Sequence, residues 1–116
     1  MERYRTVIAY GHFFEDFLKG QPPKVQEKIL QMLRIVEVVE MIPQNYLRHL
    51  EGTDGLYELR IGFGGDIFRI FCFFDTGRLL VLLDGFQKKT QKTPRKELLR
   101  AIGIMREYFL EKKVEK

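Results

Sequence analysis

The sequence contains few of the residues that build metal, redox and disulfide sites. It has one cysteine, Cys72, two histidines, His12 and His49, and no tryptophan in 116 residues. One cysteine excludes an intramolecular disulfide, and no CxxC motif or Cys/His spacing indicates a metal. The sequence therefore gives no sign of a metal or organic cofactor, and a reducing compartment suits it best.

Long apolar runs are also absent. No segment approaches the roughly 20 apolar residues that span a bilayer, and the N-terminus leads into an alternating segment instead of a continuous apolar stretch. A chain of 116 residues with 45% hydrophobic and 31% charged residues is typical of one folded domain. We predict a single domain over residues 1–116, located in the cytoplasm and without a membrane partner.

Positive charge is concentrated at the C-terminal end. Residues 1–85 contain 10 basic and 12 acidic residues, whereas residues 86–116 contain 10 basic and 4 acidic residues. The overall charge of +4 thus combines a net −2 with a net +6. Any affinity for a polyanion is expected to reside in the last quarter of the chain.

The first 43 residues predict a strand followed by a helical hairpin. Residues 4–10 are rich in β-branched and aromatic side chains, which favours a strand that ends at Gly11. Residues 13–19 place apolar side chains at helical spacing, and Pro22-Pro23 favours the start of a second helix. That helix has an apolar face at i, i+4, i+7, i+8 and i+11, formed by Val25, Ile29, Met32, Leu33 and Val36.

From Leu56 the apolar period changes from about 3.6 to 2. The pattern predicts strands over residues 56–61, 67–74 and 79–83, with turns at residues 62–65 and 75–77. Residues 79–83 are apolar on both faces, so this strand should lie in the centre of the sheet. Thr93-Pro94 favours the start of a C-terminal helix, which Thr93 can cap. The predicted fold class is α+β, a single domain with a mostly antiparallel twisted sheet, an N-terminal helical hairpin and a C-terminal helix.

Two arginines interrupt apolar strands and are the first candidates for a binding site. Alternation places Arg60 on one face with Glu58, and it places Arg69 in an otherwise hydrophobic row that should border a cleft. Burying a guanidinium without a partner costs several kcal/mol, so each must reach water, a carboxylate or an anion. One interpretation is structural, with Arg60 paired to Glu58 or Asp66 and Arg69 paired to Asp84. The other is a phosphate clamp, because a guanidinium presents paired donors matched to phosphate oxygens.

A basic segment between the last strand and the last helix favours the clamp. It crowds five basic residues into nine positions: Lys88, Lys89, Lys92, Arg95 and Lys96. A basic run by itself is typical of a solvated loop or of general affinity for nucleic acid. This one leads into a helix N-terminus, whose partial positive charge and free N–H groups can hold a phosphate.

No set of residues predicts a general acid or base. His12 follows a turn and His49 lies in an edge segment, and neither belongs to a Ser/His/Asp or Cys/His set. Cys72 is expected to fill the core. The glycines of residues 62–65 should serve a hairpin turn, because no helix follows them as it would in a nucleotide-binding loop.

Four segments in order along the chain resemble one known family. They are residues 50–60 (LEGTDGLYELR), 68–70 (FRI), 82–86 (LLDGF) and 88–94 (KKTQKTP). Together they resemble the HigB-like, phage-derived branch of the RelE/ParE toxins. The resemblance covers roughly half the chain, and the first half agrees only in its order of strand, helix and helix.

This resemblance implies the toxin of a type II toxin–antitoxin system, with a microbial RNase fold. Such a protein acts as a metal-independent endoribonuclease that cleaves messenger RNA on the ribosome. By position, Arg60, Arg69, Lys88 and Lys89 look like the family's basic catalytic residues. Attack of a ribose 2′-OH on the adjacent phosphate gathers negative charge on the phosphoryl oxygens, which preorganised cations stabilise. The resemblance thus implies that Arg69 stabilises this charge, that Arg60 contacts the scissile phosphate or the 2′-OH, and that the two lysines contact the leaving group or the RNA backbone.

Further contacts and partners follow from the same resemblance. Lys92, Arg95 and Lys96 are expected to bind ribosomal or messenger phosphates, and Tyr57 is either a core aromatic or a base-stacking platform. The expected partners are the ribosome, messenger RNA and a cognate antitoxin of the helix-turn-helix type. Some relatives place a tyrosine or histidine near the C-terminus, whereas Tyr108 falls in the middle of the predicted helix.

Two other functions remain open at this point. A ParE-like toxin with the same fold would inhibit DNA gyrase and cleave nothing. A degenerate copy would only bind its antitoxin.

Overall fold

One five-stranded sheet lies between two helical layers in the computed structural model, which describes residues 2–88 and 93–114. The strands are β1 (Thr6–Ala9), β2 (Leu47–His49), β3 (Leu56–Phe63), β4 (Asp66–Asp75) and β5 (Leu79–Lys88). The helices are α1 (Phe13–Lys19), α2 (Pro23–Val38) and α3 (Arg95–Val114). The strand order is β1-β5-β4-β3-β2, and every pairing is antiparallel except that of β1 with β5. The predicted α+β fold is confirmed.

The two faces of the sheet carry separate apolar cores. One face packs against α1 and α2 through residues such as Ile29, Leu33 and Ile70. The other face packs against α3 through residues such as Phe71 and Ile104. Because successive strand residues point to opposite faces, β4 and β5 must be apolar on both sides, as their sequences are. β5 is an interior strand as predicted, although β4 is the central one.

A β-bulge interrupts the pairing of β4 with β5. Ile70 pairs with Gly85 and Cys72 pairs with Leu82, so two residues of β5 lie opposite Phe71. Asp84, within the bulge, reaches an arginine of α3. After the bulge, Phe86 stacks on Phe71, with ring centroids 5.3 Å apart. The bulge therefore keeps the end of β5 in register with the α3 face of β4.

Helix α1 lies close against β5 at one glycine. A Cβ added at Gly85 would be 2.5 Å from Cδ2 of Phe17, well inside ordinary contact distance. The absence of a side chain therefore lets the Phe17 ring pack directly on the strand backbone.

The buried side chain of Arg5 fixes the C-terminal end of α2. Its guanidinium donates hydrogen bonds to the carbonyl oxygens of Val36, of Val39 at 2.7 Å and of Glu40 at 2.7 Å. These acceptors lie where helical carbonyls lack intrahelical partners. None of the helices in the described part of the chain is long and apolar enough to span a membrane.

Candidate functional site

Arg60 and Arg69 are direct cross-strand neighbours. They form one pair in the register of β3 and β4, and both strands present them on the face that α3 covers in part. Like charges directly opposite each other destabilise a sheet. A compensating negative charge is therefore expected close by, from the protein or from a ligand.

Glu58 supplies the protein's own compensating charge. This carboxylate has no solvent-exposed side-chain surface, and its Oε1 accepts a hydrogen bond from Nη1 of Arg69. Nη2 of Arg48 lies 3.6 Å from the same oxygen, and the Thr93 hydroxyl donates to Oε2 at 2.9 Å. A buried carboxylate is stable only when paired and hydrogen-bonded in this way.

The three arginines surround a small cleft. Its volume is about 40 Å³, and it is lined by Gln44, Asn45, Arg48, Glu58, Arg60 and Arg69. Three guanidinium groups and one carboxylate give this lining a net charge of +2. One water in liquid occupies about 30 Å³, so the enclosed part of the cleft holds a group of about the size of one water or one phosphoryl oxygen. Its positive charge suits an anionic oxygen such as that of a phosphate.

The pKa of Arg69 reflects the burial of its side chain. Its side chain is 4% exposed, and desolvation lowers its pKa from the ordinary value while the neighbouring Glu58 opposes that shift. The positive charges of Arg60 and Arg48 add to the lowering. Nε of Arg69 is buried and has no hydrogen-bond partner among residues 2–88 and 93–114. A buried donor without a partner is costly, so this N–H is a candidate donor to a bound anion.

The structural pairs considered for the two arginines are wrong. Arg69 pairs with Glu58 and not with Asp84, whose carboxylate lies 3.1 Å from Nη1 of Arg100. Arg60 forms no ion pair with Glu58, Asp66 or any other described residue; its backbone N–H donates to the Tyr46 carbonyl at 2.7 Å. The reason is the strand register, because Glu58 lies diagonally across from Arg69 and its carboxylate is already occupied.

The basic segment approaches the arginines through its two described ends. Lys88 is the last residue of β5 and pairs with Ile67, two positions from Arg69 on β4. Arg95 and Lys96 are exposed in the first turn of α3. Lys89 and Lys92 lie outside the described residues. Thr93, predicted as a helix cap, directs its hydroxyl to Glu58, and Pro94 stands just before the first helical residue.

Tyr57 lies apart from the cleft. It packs at the edge of the core formed with α2, and its ring contacts His49 at 5.3 Å and Phe74 at 5.2 Å between centroids. Strand alternation places it on the face opposite Arg60. This position agrees with the core interpretation of Tyr57.

Of the other titratable candidates, His49 directly follows Arg48 but pairs with Tyr57 on the opposite face of the sheet, and His12, Cys72 and Tyr108 lie away from the cleft. His12 bonds Asp16 at 2.6 Å at the start of α1, and burial raises the pKa of the Cys72 thiol. The Tyr108 hydroxyl donates to Oδ2 of Asp75 at 2.6 Å. Asp75 is six residues beyond Arg69 on β4, or about 20 Å at about 3.3 Å per residue. Within the described residues, no group of three or more His, Cys, Asp or Glu side chains is placed to share a metal ion.

Sequence reasoning did not identify Arg48 or Glu58 as site residues. Arg48 lies on the three-residue edge strand β2 and pairs with Glu58 across to β3. A signal was present in the alternation, which puts Glu58 on the same side as Arg60 in a strand of otherwise apolar residues. The pairing of β2, which brings in Arg48, has no such signal.

Comparison with known proteins gives one family and one fold. The family described as "Phage derived protein Gp49-like (DUF891)" matches residues 16–106, which is most of the chain. The archaeal RelE–RelB complex from Pyrococcus horikoshii OT3 contains a chain of similar structure, with a TM-score of 0.51 and 20% sequence identity. The match covers 70% of this chain and 91% of that one. No curated protein sequence matches significantly.

Proposed function

Because this chain belongs to the phage-derived Gp49-like family and has a RelE-like fold, we propose that it is the toxin of a type II toxin–antitoxin pair. We assign it to the HigB-like branch and infer that it cleaves messenger RNA on the ribosome. Such a target places it in the cytoplasm.

One observation carries this proposal, namely the convergence of Arg48, Arg60 and Arg69 on one small cleft of net positive charge. In RNA cleavage of this type the 2′-oxygen bonds to phosphorus while the bond from phosphorus to the 5′-oxygen breaks. The products are a 2′,3′-cyclic phosphate and a 5′-hydroxyl, and the 2′-OH proton leaves the nucleophile as the 5′-oxygen gains one. The transition state carries more charge on its phosphoryl oxygens than the substrate does, so fixed cations stabilise it selectively.

The residues divide this work by their burial. Arg69 is held by Glu58 through Nη1, and we assign its Nε edge to the developing charge because Nε has no partner among the described residues. Arg60 and Arg48 are more exposed and contact the scissile phosphate from the solvent side. Both oxygens of Glu58 already accept hydrogen bonds, so we assign no proton transfer to it.

The basic segment extends the surface beyond the scissile phosphate. We assign Lys88 and Lys89 to the leaving group or the adjacent RNA backbone, and Lys92, Arg95 and Lys96 to ribosomal or messenger phosphates. Such contacts position RNA without reading its sequence. They predict that binding weakens steeply as the salt concentration rises.

An antitoxin is the expected protein partner. The related fold comes from a complex named RelE–RelB, which supports a partner that binds and neutralises this chain. We expect the gene beside it to encode that partner, a helix-turn-helix protein.

The decisive test is to induce the protein without an antitoxin and map transcript 5′ ends. Wild type should produce new ends within translated regions, and Arg69→Ala should abolish them. Arg100→Ala is the matched control, because it removes an exposed arginine that pairs with Asp84 outside the cleft. It should cleave like wild type.

Growth arrest with unchanged transcripts would overturn the nuclease proposal. In that case gyrase inhibition predicts DNA damage signalling, which a reporter strain would detect. Absence of any arrest, with antitoxin binding intact, would indicate a protein that only binds its partner.

A further inference from the structure

Glu58 is a buried charge to which the proposed chemistry assigns no proton transfer and no contact with the reacting atoms. It is 1% exposed, although its neighbours Leu56 and Leu59 show that the strand could be apolar here. Replacing a buried ion pair by apolar residues is often neutral or stabilising. Stability alone therefore does not explain a carboxylate at this position.

The contacts of Glu58 connect four elements of the fold. From β3 it binds Arg69 of β4 and approaches Arg48 of β2. It also accepts a hydrogen bond from the hydroxyl of Thr93, which lies two residues before the start of α3. The basic segment reaches α3 through that same threonine. One carboxylate thus links the arginine cleft to the chain that carries the remaining cations.

The hydrogen bond to Glu58 also selects which side of Arg69 faces the ligand. Nη1 is the donor to Glu58, whereas the buried Nε has no acceptor in the described chain. A guanidinium binds a phosphate best through two parallel N–H donors on one edge. Holding Nη1 leaves the edge that contains Nε for the anion.

We propose that Glu58 is a positioning residue for the phosphate site, which orients the Nε edge of Arg69 toward the scissile phosphate and ties the start of α3 to the cleft. This inference rests on the proposed RNA cleavage. Glu58 does not contact the reacting atoms. It acts through Arg69 and Thr93.

The charge of Glu58 makes this role separable from phosphate attraction. Glu58→Gln keeps the side-chain shape but raises the net charge of the cleft lining from +2 to +3. Attraction for RNA should then hold or increase, while the orientation of Arg69 is lost. A role in folding alone would not separate binding from catalysis.

The experiment measures both quantities on the purified full-length protein. Binding is measured by fluorescence anisotropy with a short RNA that has a 2′-deoxy nucleotide at the cleavage position, and cleavage is measured in single turnover on programmed ribosomes. Glu58→Gln should bind the oligonucleotide within about threefold of wild type or more tightly, and its cleavage rate should fall about 100-fold or more. Asp84→Asn, which removes a paired carboxylate outside the cleft, should leave both values within about threefold.

Two outcomes would overturn the inference while the proposed function stands. One is a Glu58→Gln rate equal to that of wild type. The other is a loss of binding and rate in the same proportion as the loss of folded protein, measured by circular dichroism. If Glu58→Gln does not fold, Thr93→Val removes the hydrogen bond that Glu58 accepts from Thr93. This variant should cleave about tenfold more slowly than wild type and bind RNA equally well. A cleavage rate equal to that of wild type would reject the inference.

A spectroscopic measurement separates this inference from the nuclease proposal itself. In wild type the buried Nε–H of Arg69 should give a slowly exchanging NMR signal that shifts when the deoxy-substituted RNA binds, and Arg69→Lys assigns that signal by removing it. Glu58→Gln should broaden or lose it. If wild type fails to cleave but this dependence on Glu58 is present, the nuclease proposal fails, and Glu58 orients Arg69 toward a bound phosphate that is not cleaved. An identical signal in Glu58→Gln would reject the role whatever the activity.

Discussion

The contact between Gly85 and Phe17 gives a stability prediction whose size can be worked from the structure. An alanine Cβ at position 85 would lie 2.5 Å from Cδ2 and 2.7 Å from Cε2 of the ring. Carbon atoms pack best at about 3.5–4.0 Å, so the ring must retreat by about 1 Å or more. Forced repacking of this kind costs about 1–3 kcal/mol.

The backbone contributes in the opposite direction. Gly85 has no positive φ, so alanine is compatible with its conformation, and the loss of freedom in the unfolded chain stabilises by about 0.4–1 kcal/mol. The expected net effect of Gly85→Ala is a loss of about 1–2 kcal/mol in the free energy of unfolding. In urea, where m is about 1–3 kcal/mol/M, the midpoint should fall by about 1 M.

The assay is urea denaturation followed by circular dichroism, with Gly103→Ala as the matched control. Gly103 lies exposed within α3 and a Cβ there meets nothing within 4 Å, so alanine should stabilise by up to about 1 kcal/mol. The double variant Gly85→Ala/Phe17→Leu should lose less free energy of unfolding than the sum of the losses of the two single variants, because the smaller side chain removes the clash. A Gly85→Ala protein as stable as wild type would refute the reasoning.

Three further predictions concern other groups. Hydrogen bonds from Lys112 and Tyr108 lower the pKa of Asp75 to about 2. A carboxyl whose pKa is lower in the folded state stabilises the fold at pH values above its unfolded pKa. The free energy of unfolding of wild type should therefore fall by about 1–2 kcal/mol between pH 5 and pH 2. Asp75→Asn should be less stable than wild type at pH 7, and its free energy of unfolding, measured in urea, should change less with pH. The free energy of unfolding of Arg60→Ala should lie within about 0.5 kcal/mol of that of wild type, because the substitution removes a like charge and no ion pair. The variant should nevertheless bind RNA more weakly, as measured by fluorescence anisotropy. A loss of more than about 1 kcal/mol in the free energy of unfolding would contradict this prediction. Burial raises the pKa of Cys72, so a thiol reagent should label it only after unfolding, and rapid labelling of native protein at pH 8 would show that the core opens.

The fold could be predicted because its periodicities are strong and local. The change from a helical to an alternating pattern near Leu56 placed β3 and β4 to within a few residues, and the glycine-rich turns separated the strands. The predicted bounds of α1 agree with the structure because Gly20 follows directly after Lys19. The bulge in β5 could not be predicted, since it depends on how two strands align across space.

Two residues of the candidate site could be identified from the sequence for the same reason. Arg60 and Arg69 were recognisable because each conflicts with the apolar strand around it. Their direct pairing and their shared relation to Glu58 depend on the register between β3 and β4, which no local pattern encodes. Arg48 comes from a strand of three residues, too short for a periodic signal.

The bulge in β5 changes the phase of the strand. With one residue more than its partner between the two flanking pairs, β5 points Phe86 toward α3, whereas strict alternation from Leu82 would point it toward α1. The alternation of side chains beyond the bulge is therefore shifted by one residue. Removing one residue at positions 83–84 would turn Phe86 from the face that packs against α3 to the face that packs against α1. A substitution at positions 83–84 changes one side chain, whereas a single-residue deletion there changes the face of the sheet on which Phe86 lies.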